Sequence, residues 1–233
     1  MRTIDTPLIY PGGKSRAAET ILNLIPSDFK EYREPFIGGG SVYFSVRQKY
    51  PGKEYWINDL NYELYNFWKT CQEDADSVEE GALKWKNKFS NGKELFYHLK
   101  RNLRQLNNIE LASAYFVLNK IAFSGCTLVG GFSEHCFETL LTDSNIERLK
   151  KIKPVLDGTK ITNVDYQKVN EEKSVYEDKD VFIFLDPPYY SATESGLYGK
   201  KNKWSNLHKT FDHCRFANTI KACKYKYLIT YDD

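Results

Sequence analysis

The chain has 233 residues, 41% of them hydrophobic and 27% charged, enough for one large domain or for a domain carrying a smaller insert. Its 33 Lys plus Arg against 31 Asp plus Glu leave a net charge of +2, so any nucleic-acid reading must rest on local features. A 15% aromatic content excludes a disordered chain, and no apolar run approaches the roughly 18 residues of a membrane span.

The N-terminus lacks the apolar core of a signal peptide. Five cysteines and four histidines fall at no spacing of a disulfide framework or a metal site. Free thiols, a cytoplasmic location and no metal are therefore expected.

The first motif is Tyr10-Pro11-Gly12-Gly13-Lys14-Ser15. Its Gly-Lys-Ser ending invites a phosphate-loop reading, but Leu8 stands where that loop needs glycine. What remains is a tight turn offering an aromatic face and one ammonium. A strand over Tyr32 to Ile37 follows, then Glu34-Pro35-Phe36-Ile37-Gly38-Gly39-Gly40-Ser41-Val42, then a helix over Ser41 to Tyr50. Glycines between strand and helix let backbone approach a ligand at the positive helix end. The dinucleotide fingerprint needs a third glycine where Tyr43 stands, so NAD and FAD fit poorly. A strand over Tyr55 to Asn58 closes on Asp59, nineteen residues beyond Gly40. An acid there accepts hydrogen bonds from ribose hydroxyls, and a helix cap is the plainer alternative.

From Glu63 to Leu156 the pattern turns helical, as in Leu103, Leu106 and Ala112-Tyr115-Phe116-Val117, with Gly125, Gly130 and Gly131 opening a loop. Strand patterns return at Ile161 to Val164, Val181 to Leu185 and Tyr227 to Tyr231. The predicted organisation is an α/β sheet domain over 1–62 and 157–233, interrupted by a mainly helical domain over 63–156.

Val181-Phe182-Ile183-Phe184-Leu185 is continuously apolar, the mark of a strand buried on both faces. It ends at Asp186-Pro187-Pro188-Tyr189, where open α/β sheets bind ligands. Two prolines remove two backbone donors and stiffen the corner. A carboxylate, the Pro187 carbonyl and an aromatic face suit an exocyclic amine, whose two N–H groups can donate while its ring stacks. Accepting both hydrogens raises the nitrogen's nucleophilicity without a covalent enzyme nucleophile.

Tyr10-Pro11-Gly12-Gly13-Lys14, the Glu34–Val42 loop, Asn58-Asp59 and Asp186-Pro187-Pro188-Tyr189 together resemble the ordered motifs of the Dam-type adenine-specific DNA methyltransferases. The resemblance implies a Rossmann-like sheet, S-adenosylmethionine as methyl donor and N6 of a flipped-out adenine in duplex DNA as acceptor. It also implies cofactor contacts from Tyr10, Lys14, Phe36, Gly38, Asp59, Asp165 and Asp186, with Lys14 near the cofactor's carboxylate. The catalytic corner would be Asp186, Pro187 and Tyr189, and the helical insert would recognise the target. Cytosine-N4 or RNA adenine methylation is the alternative within enzymes, and a catalytically silent DNA- or cofactor-binding module is the alternative outside them. Cytosine C5 chemistry needs a cysteine nucleophile, usually after proline, and no Pro-Cys pair exists.

Between Lys84 and Arg104 seven basic residues, among them Lys84, Lys88, Lys100, Arg101 and Arg104, face Glu94 alone. Lys200 and Lys201 belong to a second basic stretch. Both stretches are candidates for phosphate contact. The segment Leu118–Phe132 is similar to the family's recognition loop, but Thr127 and Leu128 stand where many members carry a guanine-reading arginine, so GATC specificity is not carried over. Family members usually continue past Asp233, so a shortened C-terminal end is expected. A monomer, with a cognate restriction endonuclease as candidate companion, completes the expectation.

Overall fold

The computed structural model describes residues 4–190 and 210–232. In chain order the elements are α1 (Ala18–Leu24), β1 (Glu31–Glu34), α2 (Ser41–Lys49), β2 (Glu54–Asn58), α3 (Tyr62–Lys88), α4 (Gly92–Asn102) and α5 (Asn108–Ile121). They continue as α6 (Glu134–Leu140), α7 (Asp143–Leu156), β3 (Lys160–Thr162), α8 (Tyr166–Glu171), β4 (Val181–Leu185), α9 (His213–Lys221) and β5 (Lys226–Ile229). The chain divides into two compact units. One comprises Lys14–Tyr62 with the described part of Gly158–Asp233; the other comprises the described part of Met1–Gly13 with Glu63–Asp157.

The first unit is built on a five-stranded sheet in the order β3-β2-β1-β4-β5, parallel at every pairing. Every residue of β4 is buried, as its unbroken apolar run requires for a strand covered on both faces. Val181, Ile183 and Leu185 pack with Tyr166 of α8 and with Phe216 and Ile220 of α9. On the other face Phe182 stacks on Tyr32, which also meets Phe29 and Tyr55. Arg33 is an unusual strand residue, 1% exposed. Its guanidinium lies between the Trp56 and Tyr225 rings, 5.0 and 4.8 Å from their centroids. It donates to Glu31 at 2.7 Å and to the carbonyls of Val169 and Glu172, which offsets the cost of burying the charge.

Each strand begins at the predicted residue or one before it; β2 and β4 end where the apolar pattern predicts, whereas β1, β3 and β5 stop earlier. β1 ends at Glu34 because Pro35 has no N–H for the ladder, and the chain then turns, with Gly40 N–H donating to the Ile37 carbonyl. Similarly, β3 ends at Thr162 and β5 at Ile229.

The second unit is helical. α3 is interrupted at Asp74, whose backbone is extended (φ −148°, ψ 74°) and whose carboxylate caps the following turn through Ser77 N–H. α5 starts with a reciprocal capping box between Asn107 and Glu110 and is buried from Leu111 to Ile121. Asn119 accepts from Ile9 N–H at 3.0 Å and donates to the Ile9 carbonyl at 2.7 Å. That pair of bonds explains why residues 4–13 group with the helices, whereas the sequence reading places them with the sheet. Among the described residues no helix is long and apolar enough to cross a membrane, no group of His, Cys, Asp and Glu could hold a metal, and none of the five cysteines is disulfide-bonded.

Candidate active site

In the order β3-β2-β1-β4-β5 the connections reverse direction between β1 and β4, and a parallel sheet opens a crevice there, outside the carboxyl ends of its strands. The Glu34–Gly40 loop leaves β1 at this point, and Asp186-Pro187-Pro188-Tyr189 leaves the neighbouring β4. Gly40 adopts a left-handed conformation (φ 75°) immediately before α2, which is why a residue without a Cβ stands there. Phe36 packs against Tyr166, Phe211 and Phe216 at centroid distances of 5.3–6.0 Å.

Asp59 follows β2 and ties two loops together. Its Oδ2 accepts from Gly38 N–H at 3.1 Å and its Oδ1 from Asn61 N–H at 2.9 Å. Burial pushes its carboxyl up to about 6, with the backbone donors, including Asn61 and Gly38, opposing. The residue is therefore both the turn before α3 and a brace for the glycine loop.

At the end of β4 the Lys14 ammonium lies 2.7 Å from Asp186 Oδ2 and 4.9 Å from the centroid of the Tyr189 ring. Burial pulls the Lys14 ammonium down, but the charge and hydrogen bond of Asp186, with a further contribution from Tyr189, outweigh it and leave it raised. Asp186 Oδ1 accepts from the Thr230 hydroxyl at 2.6 Å. Beneath this group Glu34, 2% exposed, accepts from the Tyr32 hydroxyl at 2.6 Å. Burial holds the Glu34 carboxyl well above its ordinary range, and the nearby Asp186 charge adds to that shift. One ammonium thus faces an ionisable pair at the sheet's central crevice, an arrangement suited to a ligand carrying both charges.

Of the residues expected at the site, Lys14, Asp186 and Tyr189 meet directly, while Gly38 meets Asp59. Tyr10 belongs to the helical unit. Asp165 caps α8 and accepts from Arg215 through both oxygens at 2.8 and 3.0 Å. The sequence reading places Glu34 in the first strand and the loop that follows without giving it a role, and it does not single out Thr230.

Among the basic residues Lys84, Lys88, Arg101 and Arg104 are exposed. Lys100 is a correction: it is half-buried and points inward, donating to the carbonyls of Thr127 and Leu128, with burial pulling it down to about 8. Its place four residues after buried Phe96 sets it on the inner stripe of α4. Lys200 and Lys201 lie outside the described residues.

Comparison with known proteins places the chain in a family. A model of the D12 class N6 adenine-specific DNA methyltransferases matches residues 10–233. The type II methyltransferase M.MjaIII of Methanocaldococcus jannaschii is 26% identical over 84% of this chain and 73% of its own length. M.CviBI of Paramecium bursaria Chlorella virus NC1A is 25% identical over 94% and 80%, and the DNA adenine methylase of Haemophilus influenzae is 23% identical over 82% and 69%. With a match over all but the first nine residues, the chain belongs to the D12 class of N6 adenine-specific DNA methyltransferases.

Proposed function

We propose that this enzyme methylates N6 of an adenine flipped out of duplex DNA, with Asp186, the Pro187 carbonyl and Tyr189 receiving the base. The observation that carries the reading is the Asp186-Lys14-Tyr189 cluster at the carboxyl end of the central strand, where the strand order reverses. Family membership implies S-adenosylmethionine, and the residues present fit it. Asp59 offers a carboxylate to ribose hydroxyls, the Phe36–Gly38 loop offers backbone and an aromatic edge, and Lys14 offers an ammonium to a carboxylate. When bound, the cofactor supplies an electrophilic methyl group.

The chain's own part is orientation and polarisation. Asp186 Oδ2 and the Pro187 carbonyl accept the two amine N–H groups, drawing the N6 lone pair out of conjugation with the ring. Tyr189 stacks on the flipped base and excludes water. Tyr10 and Asp165 are assigned to the cofactor as well, Asp165 with its carboxylate oriented by Arg215.

The helical unit is assigned to target recognition, with Lys84, Lys88, Arg101 and Arg104 contacting phosphates. Thr127 is buried at 5% exposure and bonded to Asn119 and the Gly125 carbonyl, so it serves the loop's shape rather than reading a base edge. A monomeric enzyme, five free thiols in a reducing cytoplasm and a partner restriction endonuclease complete the proposal; the type II names of relatives support that last part. Incubation with tritiated S-adenosylmethionine and mixed duplex DNA tests the reading. Label in N6-methyladenine is expected, and label on cytosine would overturn it.

A further inference from the structure

We propose that Thr230, just beyond β5, is a positioning residue for methyl transfer, holding the Asp186 carboxylate in the orientation that receives the amine. The inference rests on the reading of Asp186 as the amine acceptor. Lys14 alone cannot fix that orientation. An ammonium on a flexible stem attracts a carboxylate as a point charge and leaves its terminal torsion free.

Thr230 supplies the missing constraint. β4 and β5 pair in parallel, with Leu185 opposite Ile229. The Thr230 N–H extends that ladder by donating to the Leu185 carbonyl at 2.9 Å. A backbone anchored in this way, with a β-branched side chain restricted at χ1, leaves Oγ1 little freedom of direction. Its hydroxyl has one proton and two neighbouring acceptors, Asp186 Oδ1 at 2.6 Å and the Leu185 carbonyl at 3.4 Å. The shorter contact takes the proton.

Oδ1 is thereby tied to the sheet, and Oδ2 is turned to the side where Lys14 and the Tyr189 ring lie. The two residues after Thr230 hold the same corner. Tyr231 packs against Tyr189 with centroids 5.9 Å apart, and Asp232 Oδ1 accepts from Tyr190 N–H at 3.2 Å. The 230–232 segment is thus a template for residues 186–190, and within it the Thr230 hydroxyl donates to the carboxylate itself.

The test compares Thr230→Val, which keeps the shape and removes the hydroxyl, with Thr230→Ser, which keeps the hydroxyl. Asp186→Ala runs in parallel, all in the full chain with tritiated S-adenosylmethionine and mixed duplex DNA. The valine variant is expected to lose about 10- to 100-fold in kcat, as for one hydrogen bond to a charged group, with KM for S-adenosylmethionine changed less than about threefold. The serine variant is expected to recover most of that loss. A merely structural Thr230 would predict damage in both variants or a matching rise in KM, and either result overturns the proposal. So does a valine variant with undiminished kcat. If that variant no longer binds cofactor by calorimetry, Thr230→Ala carries the same comparison with serine. Activity retained in Asp186→Ala would sink the reading of Asp186 itself; a dead Asp186→Ala beside a fully active Thr230→Val would sink only the role of Thr230.

Discussion

Asp59 can be made to separate cofactor binding from folding. Its carboxyl accepts two backbone N–H groups, at 3.1 and 2.9 Å, yet burial raises it to about 6. Against an ordinary value near 3.9, that shift means a cost on the order of 3 kcal/mol for keeping the carboxylate charged in the folded protein at neutral pH. The sign follows from the direction of the shift. Stability contributed by the neutral form is fully present below about pH 4 and is lost as pH rises through about 6. Cofactor binding has the opposite dependence, because ribose hydroxyls donate more strongly to a charged acceptor. Affinity should therefore fall as pH drops through about 6.

Asp59→Asn removes the charge and keeps one acceptor. It relieves up to about 3 kcal/mol of burial cost and incurs about 1–3 kcal/mol, because the new amide turns an N–H toward a backbone donor. The denaturation midpoint at pH 7.5 should therefore move little. Cofactor affinity should fall by about 1–3 kcal/mol, roughly 5- to 150-fold, and its pH dependence near 6 should vanish. Calorimetric titration with S-adenosylmethionine between pH 5 and 8, beside thermal denaturation, checks both. An unchanged affinity would reduce Asp59 to a turn residue; a large loss of stability would show that the affinity loss is indirect.

Three further outcomes are expected. Arg33→Ala should destabilise the protein by about 3–5 kcal/mol in denaturant unfolding, because Glu31 and two carbonyls lose a buried partner; a change under 1 kcal/mol would contradict that assignment. Gly125→Ala should cost at least about 1–2 kcal/mol, since a Cβ would lie 2.4 Å from the Ile9 carbonyl oxygen at a backbone φ of +68°, and unaltered stability would refute the close approach. Replacing Arg101 or Arg104 by alanine should lower the salt dependence of DNA binding by about 0.9 in slope per lost phosphate contact, whereas Lys100→Met should leave the slope unchanged and loosen the 127–128 loop. A slope change in the Lys100 variant would restore it to the phosphate set.

Local pattern exposed the sheet strands and the two loops at their ends, because an uninterrupted apolar run and a glycine turn are both properties of consecutive residues. Asp186 was legible for the same reason: the abrupt change from Leu185 to Asp-Pro-Pro marks a strand end. Thr230 was not. Its partner lies 44 positions away, and only the pairing of β4 with β5 brings the two together. Arg33 reads as a surface charge in sequence, and nothing local announces the Trp56 and Tyr225 rings that enclose it. Lys100 could have been placed correctly. Leu95, Phe96, Leu99 and Leu103 form an apolar stripe, and Lys100 falls beside it at helical spacing, so the charge run concealed an inward-facing residue. Glu34 followed the same rule in reverse, since a carboxyl at the end of a central strand is buried by the strands beside it.

The central claim, that Asp186 receives the adenine amine, is tested most directly by methyl transfer in Asp186→Ala under conditions where the variant still binds S-adenosylmethionine. The account expects cofactor binding to persist by calorimetry while N6-methyladenine in duplex DNA falls to background. N6-methyladenine formed at or near the wild-type rate by that variant would contradict it.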